Sequence, residues 1–419
     1  MQDYLTKHNV INCHQHGFRE GKSCFTNLLE TFEDWNRAVD EKKGIDVIYL
    51  DFKKAFDSVP HKRLLCKLQG YGITGKLLNW IQEFLHHRLQ RVIVGGCASN
   101  WCQVKSGVSQ GSLLGPLLFT LYINDVPEII DCNIQQYADD TKLYSVISCY
   151  NDSTRFQQDQ DQVANWSMKW QLKFNIDKCR HMQVGHELAT GYTLINDFDG
   201  GRTVLDKTTD EKDLGIWCSN TLSPSLQCHK ATAKAMRSLG LIKRTFKHIT
   251  LQSLPFLYKT YIRPHLEYCV PVWSPYLNRD MDELEKVQHR STKLIREISG
   301  LPYEERLKLL HLPSLYTRRL RGDLIETFKI LKGFTNINPS IFFERISSTR
   351  TRGHSLKLYK KNFRTRTYKN FFSNCIINSW NQLRQYLIDA DTTNSFKNRL
   401  DNYRSIIGYG YTQRPPAYN

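Results

Sequence analysis

The chain has 419 residues, which is long enough for more than one domain and at least one large core. Hydrophobic residues make up 40 % of it and aromatic residues 12 %, which excludes a disordered chain, and no apolar run approaches the ~18 residues of a membrane span. Lys and Arg number 58 against 41 Asp and Glu, so the net charge of +17 favours a polyanion, with nucleic acid as the first candidate.

The basic excess is concentrated in the last part of the chain. Residues 301–419 hold 21 basic and 8 acidic side chains, a net charge of +13, which leaves +4 for residues 1–300. The stretch 349–369 is rich in Lys and Arg and contains no acidic residue. We therefore expect an exposed basic strip there.

The cysteines indicate a reducing compartment. Twelve of them are spread singly along the chain, and no signal peptide opens it, so reduced thiols are favoured over a disulfide framework. The one close pair, Cys97 and Cys102, has no further Cys or His ligands nearby for a structural zinc ion. We expect a nuclear and cytoplasmic protein without an evident targeting signal.

The first hundred residues alternate helical and strand patterns. Apolar residues at three- and four-residue steps predict a helix over 24–39, and the β-branched run 45–52 predicts a strand buried on both faces. Helices are predicted over 60–69, opened by Pro60, and over 76–85. The pair Gly95-Gly96 between two strand-like pieces predicts a hairpin.

The next hundred residues predict the rest of an α+β region. An apolar helix over 112–126, with Pro116 in its first turn, should pack centrally. The segments NIQQY and TKLYSVIS predict two strands with Asp139 and Asp140 together at the tight turn between them. A polar helix that includes Trp166 and further short strands follow, up to about residue 218. After about residue 225 the strand signal fades and a helical domain is predicted.

Three carboxylates form the strongest chemical pattern. Asp51 follows the buried strand, and Asp139 with Asp140 lies at the predicted hairpin turn. Each alone is more often a helix cap or a turn former. Together, on two neighbouring strands of one sheet, they would supply the oxygen ligands that two hard divalent cations require.

Six sequence motifs follow one another along the chain: HGFREGKS (16–23), IYLDFKKAFDSVPH (48–61), SGVSQGSLLGPLLFTLYIND (106–125), QYADD (136–140), LKFNIDKC (172–179) and DLGI (213–216). Their order resembles that of reverse transcriptases, and specifically those of non-LTR retrotransposons in the chicken-repeat and jockey branch of LINE elements. The resemblance implies a right-hand polymerase with fingers and an antiparallel palm sheet over 1–218, a helical thumb over 219–300 and a mainly α, basic C-terminal region over 301–419.

The resemblance also implies a catalytic set. Asp51 and Asp139 would hold two Mg²⁺ ions, with Mn²⁺ as an alternative, and Asp140 would complete the metal site. Lys178 matches a lysine that protonates the departing pyrophosphate, although a solvated surface lysine is an equal alternative. The reaction implied is RNA-directed DNA synthesis from a primer 3′-hydroxyl by two-metal-ion catalysis.

Four further residues would bind the incoming deoxynucleotide. Phe56 matches the aromatic residue that excludes ribonucleotides at the sugar 2′ carbon, with a core aromatic as the alternative. Gln110 and Gly111 match the motif that supports the nucleotide and the template. Arg19 matches a fingers arginine aimed at the triphosphate, a role that suits its planar bidentate donor.

The partners implied are an RNA template, a DNA primer or target, and deoxynucleoside triphosphates, with no membrane and no evident obligate protein partner. Basic residues of the strip are expected to contact the nucleic-acid backbone without reading sequence. The candidates are Arg350, Arg352, Lys360, Lys361, Arg364 and Arg366.

Two other interpretations compete with an active reverse transcriptase. The chain begins just before QHGFR, so the earlier fingers motif of the family is missing and we expect an N-terminally truncated copy. A catalytically inactive remnant that still binds nucleic acid is the alternative. An RNA-templated RNA polymerase of the same fold is disfavoured by Phe56, because a ribonucleotide polymerase needs room for the 2′-hydroxyl.

Overall fold

The computed structural model describes residues 1–186, 188–195, 200–346 and 353–406, and it divides the chain into two compact units. Unit 1 consists of Met1–Asn27 and Lys42–Thr209. Unit 2 consists of Leu28–Glu41 and the described residues of Asp210–Asn419. The predicted domain boundaries after residues 218 and 300 stay predictions.

Unit 1 has the alternating helices and strands that the sequence predicts. Its helices are α1 (Gln2–Lys7), the start of α2 (Cys24–Asp40), α3 (Ala55–Ser58), α4 (His61–Gly70), α5 (Gly75–Leu85), α6 (Leu114–Tyr122) and α7 (Tyr150–Trp170). Its strands are β1 (Gly44–Leu50), β2 (Leu89–Gln90), β3 (Ile93–Val94), β4 (Cys97–Ala98), β5 (Cys102–Gln103), β6 (Asn133–Tyr137), β7 (Asp140–Ile147), β8 (Arg180–Val184), β9 (Thr193–Ile195), β10 (Arg202–Val204) and β11 (Asp206–Thr208). The predicted helices α2, α4 and α5 are thereby confirmed within one or two residues.

The main sheet of unit 1 has the strand order β11-β8-β1-β7-β6. Strand β1 pairs antiparallel with both β7 and β8, and all its residues except Tyr49 are buried, which confirms the prediction of a strand buried on both faces. The predicted antiparallel sheet is confirmed for β1, β6, β7 and β8, whereas β11 runs parallel to β8. The connection from Val184 to Asp206 is long enough for the crossover that a parallel pair requires.

Helix α6 packs at the centre of the core of unit 1, as its apolar sequence predicts. Leu118, Phe119, Leu121 and Tyr122 are fully buried. The helix is shorter than the predicted range 112–126. It begins only after a turn in which the Ser112 hydroxyl accepts a hydrogen bond from the Gly115 amide at 2.9 Å.

The predicted hairpin at Gly95-Gly96 is confirmed. Strands β3 and β4 pair across it, and both glycines have positive φ angles, of 57° and 85°. Strands β2 and β5 pair at its base. The side chains of these four short strands are exposed, so the hairpin is a surface element.

Unit 2 is mainly helical, as predicted. Strands β12 (Asp210–Asp213) and β13 (Ile216–Ser219) form its hairpin. Its helices are the rest of α2, α8 (Ser225–Thr245), α9 (Ser253–Leu257), α10 (Arg263–Glu267), α11 (Val270–Trp273), α12 (Asn278–Thr292), α13 (Tyr303–Leu309), α14 (Leu315–Leu331), α15 (Pro339–Phe342), α16 (Arg366–Asn370), α17 (Phe372–Cys375), α18 (Ile377–Asn381), α19 (Gln385–Ile388) and α20 (Thr393–Ile406).

Two expectations from composition can be compared with the structure. All twelve cysteines are free, in agreement with reduced thiols. No helix within the described ranges has both the length and the apolar character needed to cross a bilayer.

Candidate active site

Strand register brings the predicted carboxylates to one end of the main sheet. Leu50 pairs with Thr141, so Asp51, the next residue, lies beside the start of β7. Strand β6 ends at Tyr137, which pairs with Asp140. The turn therefore consists of Ala138 and Asp139. The expectation that both aspartates lie at the hairpin tip was wrong for Asp140, which is the first residue of β7.

The Asp51 and Asp139 carboxylates influence each other electrostatically. Burial raises the pKa of Asp139, and the negative charge of Asp51 raises it further, against a hydrogen bond from the backbone amide that lowers it. Without a cation, Asp139 is destabilised in its charged form both by burial and by the negative charge of Asp51. A bound divalent metal ion would offset both effects, so the pair is suited to holding one. Within the described ranges, no group of three or more His, Cys, Asp or Glu side chains already has the geometry of a metal site.

The segment that follows α7 holds Lys178 beside Asp51. The Asn175 amide donates a hydrogen bond to the Asp51 carbonyl at 2.7 Å. The rings of Phe52 and Phe174 stack with their centroids 4.7 Å apart. These contacts leave the Lys178 Nζ atom 3.5 Å from Asp51 Oδ2, with 67 % of the lysine side chain exposed. An ion pair this exposed adds little to the stability of the fold. Its main effect is to position the Lys178 ammonium group beside Asp51.

Phe56 is held against the core by a ring contact and a backbone hydrogen bond. Its ring is half-buried and stacks on Phe119 of α6, with centroids 4.5 Å apart. Its carbonyl accepts a hydrogen bond from the Val108 amide at 2.7 Å. The ring is thus fixed against the core, five residues after Asp51, and its predicted role as a sugar gate stays a prediction.

Gln110 and Gly111 lie in the exposed turn that precedes α6. Gly111 has a φ angle of +82°, a conformation that residues with a side chain rarely adopt, while a Cβ atom there would meet nothing within 4 Å. The backbone conformation, and not a lack of space, therefore requires glycine.

The predicted basic contacts have more varied surroundings. The Arg19 guanidinium donates a hydrogen bond to the Asn12 carbonyl at 2.7 Å, and burial lowers its pKa. Four strip residues of unit 2 are exposed, namely Lys360, Lys361, Arg364 and Arg366. Arg350 and Arg352 lie outside the described residues.

Gln15 and Gly17 support the turn that carries Asp139, a role that the sequence analysis missed. Gln15 is 1 % exposed, and its Oε1 atom accepts hydrogen bonds from the amides of Gly17 at 2.7 Å and Ala138 at 2.9 Å. Ala138 has a φ angle of +54°, so the turn needs external support. A Cβ atom on Gly17 would lie 2.4 Å from the Ala138 nitrogen. The only sequence signal was the glycine of QHGFR beside a polar residue.

Comparison with known proteins assigns the family. Residues 1–242 match the reverse transcriptase (RNA-dependent DNA polymerase) family. The chain belongs to this family. It is 26 % identical to the probable RNA-directed DNA polymerase from transposon BS of Drosophila melanogaster, over 74 % of this chain and 35 % of that protein. It is 27 % identical to the RNA-directed DNA polymerase from mobile element jockey of Drosophila funebris, over 70 % of this chain and 32 % of that protein.

The chain spans about a third of the length of these curated relatives. The resemblance to reverse transcriptases of the jockey branch is confirmed by the family match and by these relatives. Among solved structures, apo telomerase from Candida tropicalis aligns with a TM-score of 0.39 at 14 % identity, over 74 % of this chain and 50 % of that chain.

Proposed function

We propose that this chain is the polymerase segment of a non-LTR retrotransposon protein and adds deoxynucleotides to a primer 3′-hydroxyl on an RNA template. One observation carries the proposal. Asp51 and Asp139 lie at the same end of the sheet, close enough for the charge of one to raise the pKa of the other. Family membership over residues 1–242 supports it.

Divalent metal ions would be held by Asp51 and Asp139, with Asp140 completing the site. Two Mg²⁺ ions, when bound there, supply activation of the primer hydroxyl and neutralisation of the triphosphate charge. All three ligands are carboxylates, the donors that a hard cation prefers. Lys178 holds a proton at Nζ, 3.5 Å from Asp51, where it can protonate the leaving pyrophosphate.

The remaining predicted residues would define the substrate. Phe56 excludes the 2′-hydroxyl, Gln110 and Gly111 support the nucleotide and template, and Arg19 binds the triphosphate. In this proposal residues 1–218 form the fingers and palm and residues 219–300 the thumb. The family resemblance implies target-primed synthesis, in which a nicked DNA target supplies the primer for copying the RNA template, by a ribonucleoprotein of the nucleus and cytoplasm.

The alternative of an inactive nucleic-acid-binding remnant is not favoured. A remnant has no need to keep three carboxylates at one end of a sheet, and Asp51, Asp139 and Asp140 are all present there. An RNA-templated RNA polymerase is disfavoured by Phe56, whose ring is fixed on Phe119.

Primer extension on an RNA template tests the proposal directly. Asp139→Asn should reduce the rate by several orders of magnitude while RNA binding survives, because the variant loses metal ligation but keeps its shape. Asp131→Asn is the matched control, since Asp131 is an exposed aspartate outside the site. Equal extension by wild type and Asp139→Asn would refute the assignment.

A second measurement tests the sugar gate. Phe56→Val should raise ribonucleotide use relative to deoxyribonucleotide use, because it opens space beside the 2′ position. The readout is the ratio of kcat/KM values for the two substrates. If an active variant keeps the wild-type ratio, Phe56 is a core residue only.

A further inference from the structure

A basic cleft in unit 1 has no role in the site described above. Its volume is about 770 Å³, and none of the described residues that line it is acidic. Four lining residues carry full positive charges, and three histidines accompany them. The charged set is Lys62, Arg63, Lys105 and Lys173, and the histidines are His61, His86 and His87.

The cationic groups reach the cleft from three separate segments of the chain. Lys62 and Arg63 lie in the first turn of α4, Lys105 follows β5, and Lys173 follows α7. The Lys173 carbonyl accepts a hydrogen bond from the Lys53 amide at 2.8 Å, which fixes this segment beside the chain that leaves Asp51. Since the lining contains four Lys or Arg residues and no acidic residue, the cleft attracts anions.

The backbone at the cleft adds to the positive potential. Helix α4 follows Pro60 without a side-chain cap, and its first residues line the cleft, so the partial positive charge of the helix start lies at the lining. His61 is fixed by a hydrogen bond of 2.9 Å between its Nε2 atom and the Gly107 carbonyl.

The exposed hairpin formed by β2 to β5 is connected to the cleft at both of its ends. His87 precedes it and Gln103 ends it, and both line the cleft. On the hairpin, Trp101 is 57 % exposed, and the Arg91 guanidinium lies over its ring at 4.5 Å. An exposed indole with a stacked guanidinium is a surface on which an unpaired base can stack.

We propose that this cleft binds the phosphate backbone of a single-stranded nucleic acid, whose bases stack on Trp101 of the hairpin. A small polyphosphate would be bound by the same cations, but it has no base for the hairpin. The combination of a cationic cleft with an adjoining aromatic group is the arrangement used for single strands. The proposal rests on the proposed function in one point only, which is that the bound strand is a substrate of the polymerase.

Binding of fluorescent oligo(U) to the whole chain, without primer, nucleotides or metal, tests the proposal. Lys62→Gln with Lys105→Gln should make the plot of log affinity against log salt less steep by about 1.4, because two phosphate contacts are lost at about 0.7 each on a single strand. If the variant and the wild type bind equally at 1 M salt, this change of slope makes the affinity of the variant about 25-fold lower at 0.1 M salt. The matched control is Lys42→Gln with Lys76→Gln, two exposed lysines of unit 1 outside the cleft.

Trp101→Ala separates stacking from charge. It should lower affinity about tenfold with an unchanged salt slope, since stacking involves no counterion release. Circular dichroism melts confirm that each variant is folded. Oligo(dT) in a parallel titration shows whether the cleft prefers an RNA strand or accepts either strand.

Each result decides the question. A flatter slope for the cleft pair together with a wild-type slope for the control pair supports the proposal. Equal losses in both pairs overturn it, because the effect is then general charge. If the cleft pair loses tripolyphosphate binding but keeps oligo(U) binding, the ligand is a small polyphosphate and the proposal also fails. Primer extension is measured separately, so an inactive wild type that shows these binding changes refutes only the proposed function.

Discussion

Two basic surfaces of this protein, the cleft of unit 1 and the strip of unit 2, differ in how their cations are arranged. In the cleft, Lys62, Lys105 and Lys173 come from separate segments and line one concavity without an acidic residue. In the described part of the strip, 353–369, the cations follow one another along the chain, and most of their side chains are exposed. The net charge of the sequence favours the strip as the surface that binds nucleic acid. The concave arrangement of cations in the folded chain favours the cleft instead.

The strip differs from a solvated tail because its backbone is fixed to the fold. The Asp40 carboxylate accepts hydrogen bonds from the Arg364 amide at 2.9 Å and from the Thr365 amide at 2.7 Å. His354 and Tyr368, at either side, are buried. The predicted exposure is confirmed for basic side chains such as Lys360 and Arg364, whereas His354 and Tyr368 of the strip are buried.

Two strip cations also have partners within unit 2. Lys361 Nζ lies 3.8 Å from a carboxylate oxygen of Glu344, and the Arg366 guanidinium lies 5.6 Å from the centre of the Tyr276 ring. These contacts are weak at exposed positions. They show that a row of basic residues can serve the fold as well as a ligand.

Removing the core beneath the strip should give the largest effect. Trp380 is fully buried, its indole donates a hydrogen bond to the Leu356 carbonyl at 2.7 Å, and its own carbonyl accepts one from His354 at 2.9 Å. Trp380→Ala should lower the free energy of unfolding by about 3–5 kcal/mol. Urea denaturation measures this. Trp80→Ala, at a 57 % exposed position, is the control, and an equal loss there would show that the strip has no special anchor.

The buried Glu33 should give a smaller, pH-dependent effect. It accepts hydrogen bonds from the Tyr368 hydroxyl at 2.7 Å and the Ser373 hydroxyl at 2.6 Å, beside the end of the strip. Burial raises the pKa of this carboxyl above its ordinary 4.5, and these hydrogen bonds offset only part of the rise. The folded state then binds the proton more tightly than the unfolded state, so wild-type stability falls as pH increases from about 4.5 through the raised pKa.

Glu33→Gln removes that titration and serves as the test. The difference in unfolding free energy, variant minus wild type, should grow as pH rises through this window and then level off. Urea denaturation at a series of pH values gives the curve. A difference that does not change with pH would mean that Glu33 titrates alike in both states.

The smallest effect is expected from the strip cations themselves. Lys360→Gln with Lys361→Gln should change the affinity for oligo(U) by less than about threefold at 0.1 M salt, since salt screens the interaction of exposed cations with phosphate groups. The same titration as for the cleft pair measures it. A loss as large as that of Lys62→Gln with Lys105→Gln would reverse the ranking of the two surfaces. Neutralisation is preferable to deletion, because deletion would also remove the anchors on Asp40.

Local sequence patterns determined most of the elements and the chemistry. Helical spacing predicted α2 and α5, a β-branched run predicted the buried strand β1, and Gly95-Gly96 predicted the hairpin. These features depend on residues close together in the chain, so spacing and residue type are sufficient. The ordered motifs likewise indicated Asp51 and Asp139 before any geometry was known, because motif order along a chain is itself sequence information.

The tertiary structure alone decided which distant residues support these elements. No pattern in the sequence pairs Gln15 with the Ala138 amide, places β11 parallel to β8, or joins Asp40 to Thr365 across more than 300 residues. Local propensity specifies an element, but a buried polar group takes its hydrogen-bond partner from wherever the packed chain brings one. The cleft has the same origin, because its four cations are scattered along the sequence and become one surface only when the segments that carry them are folded together.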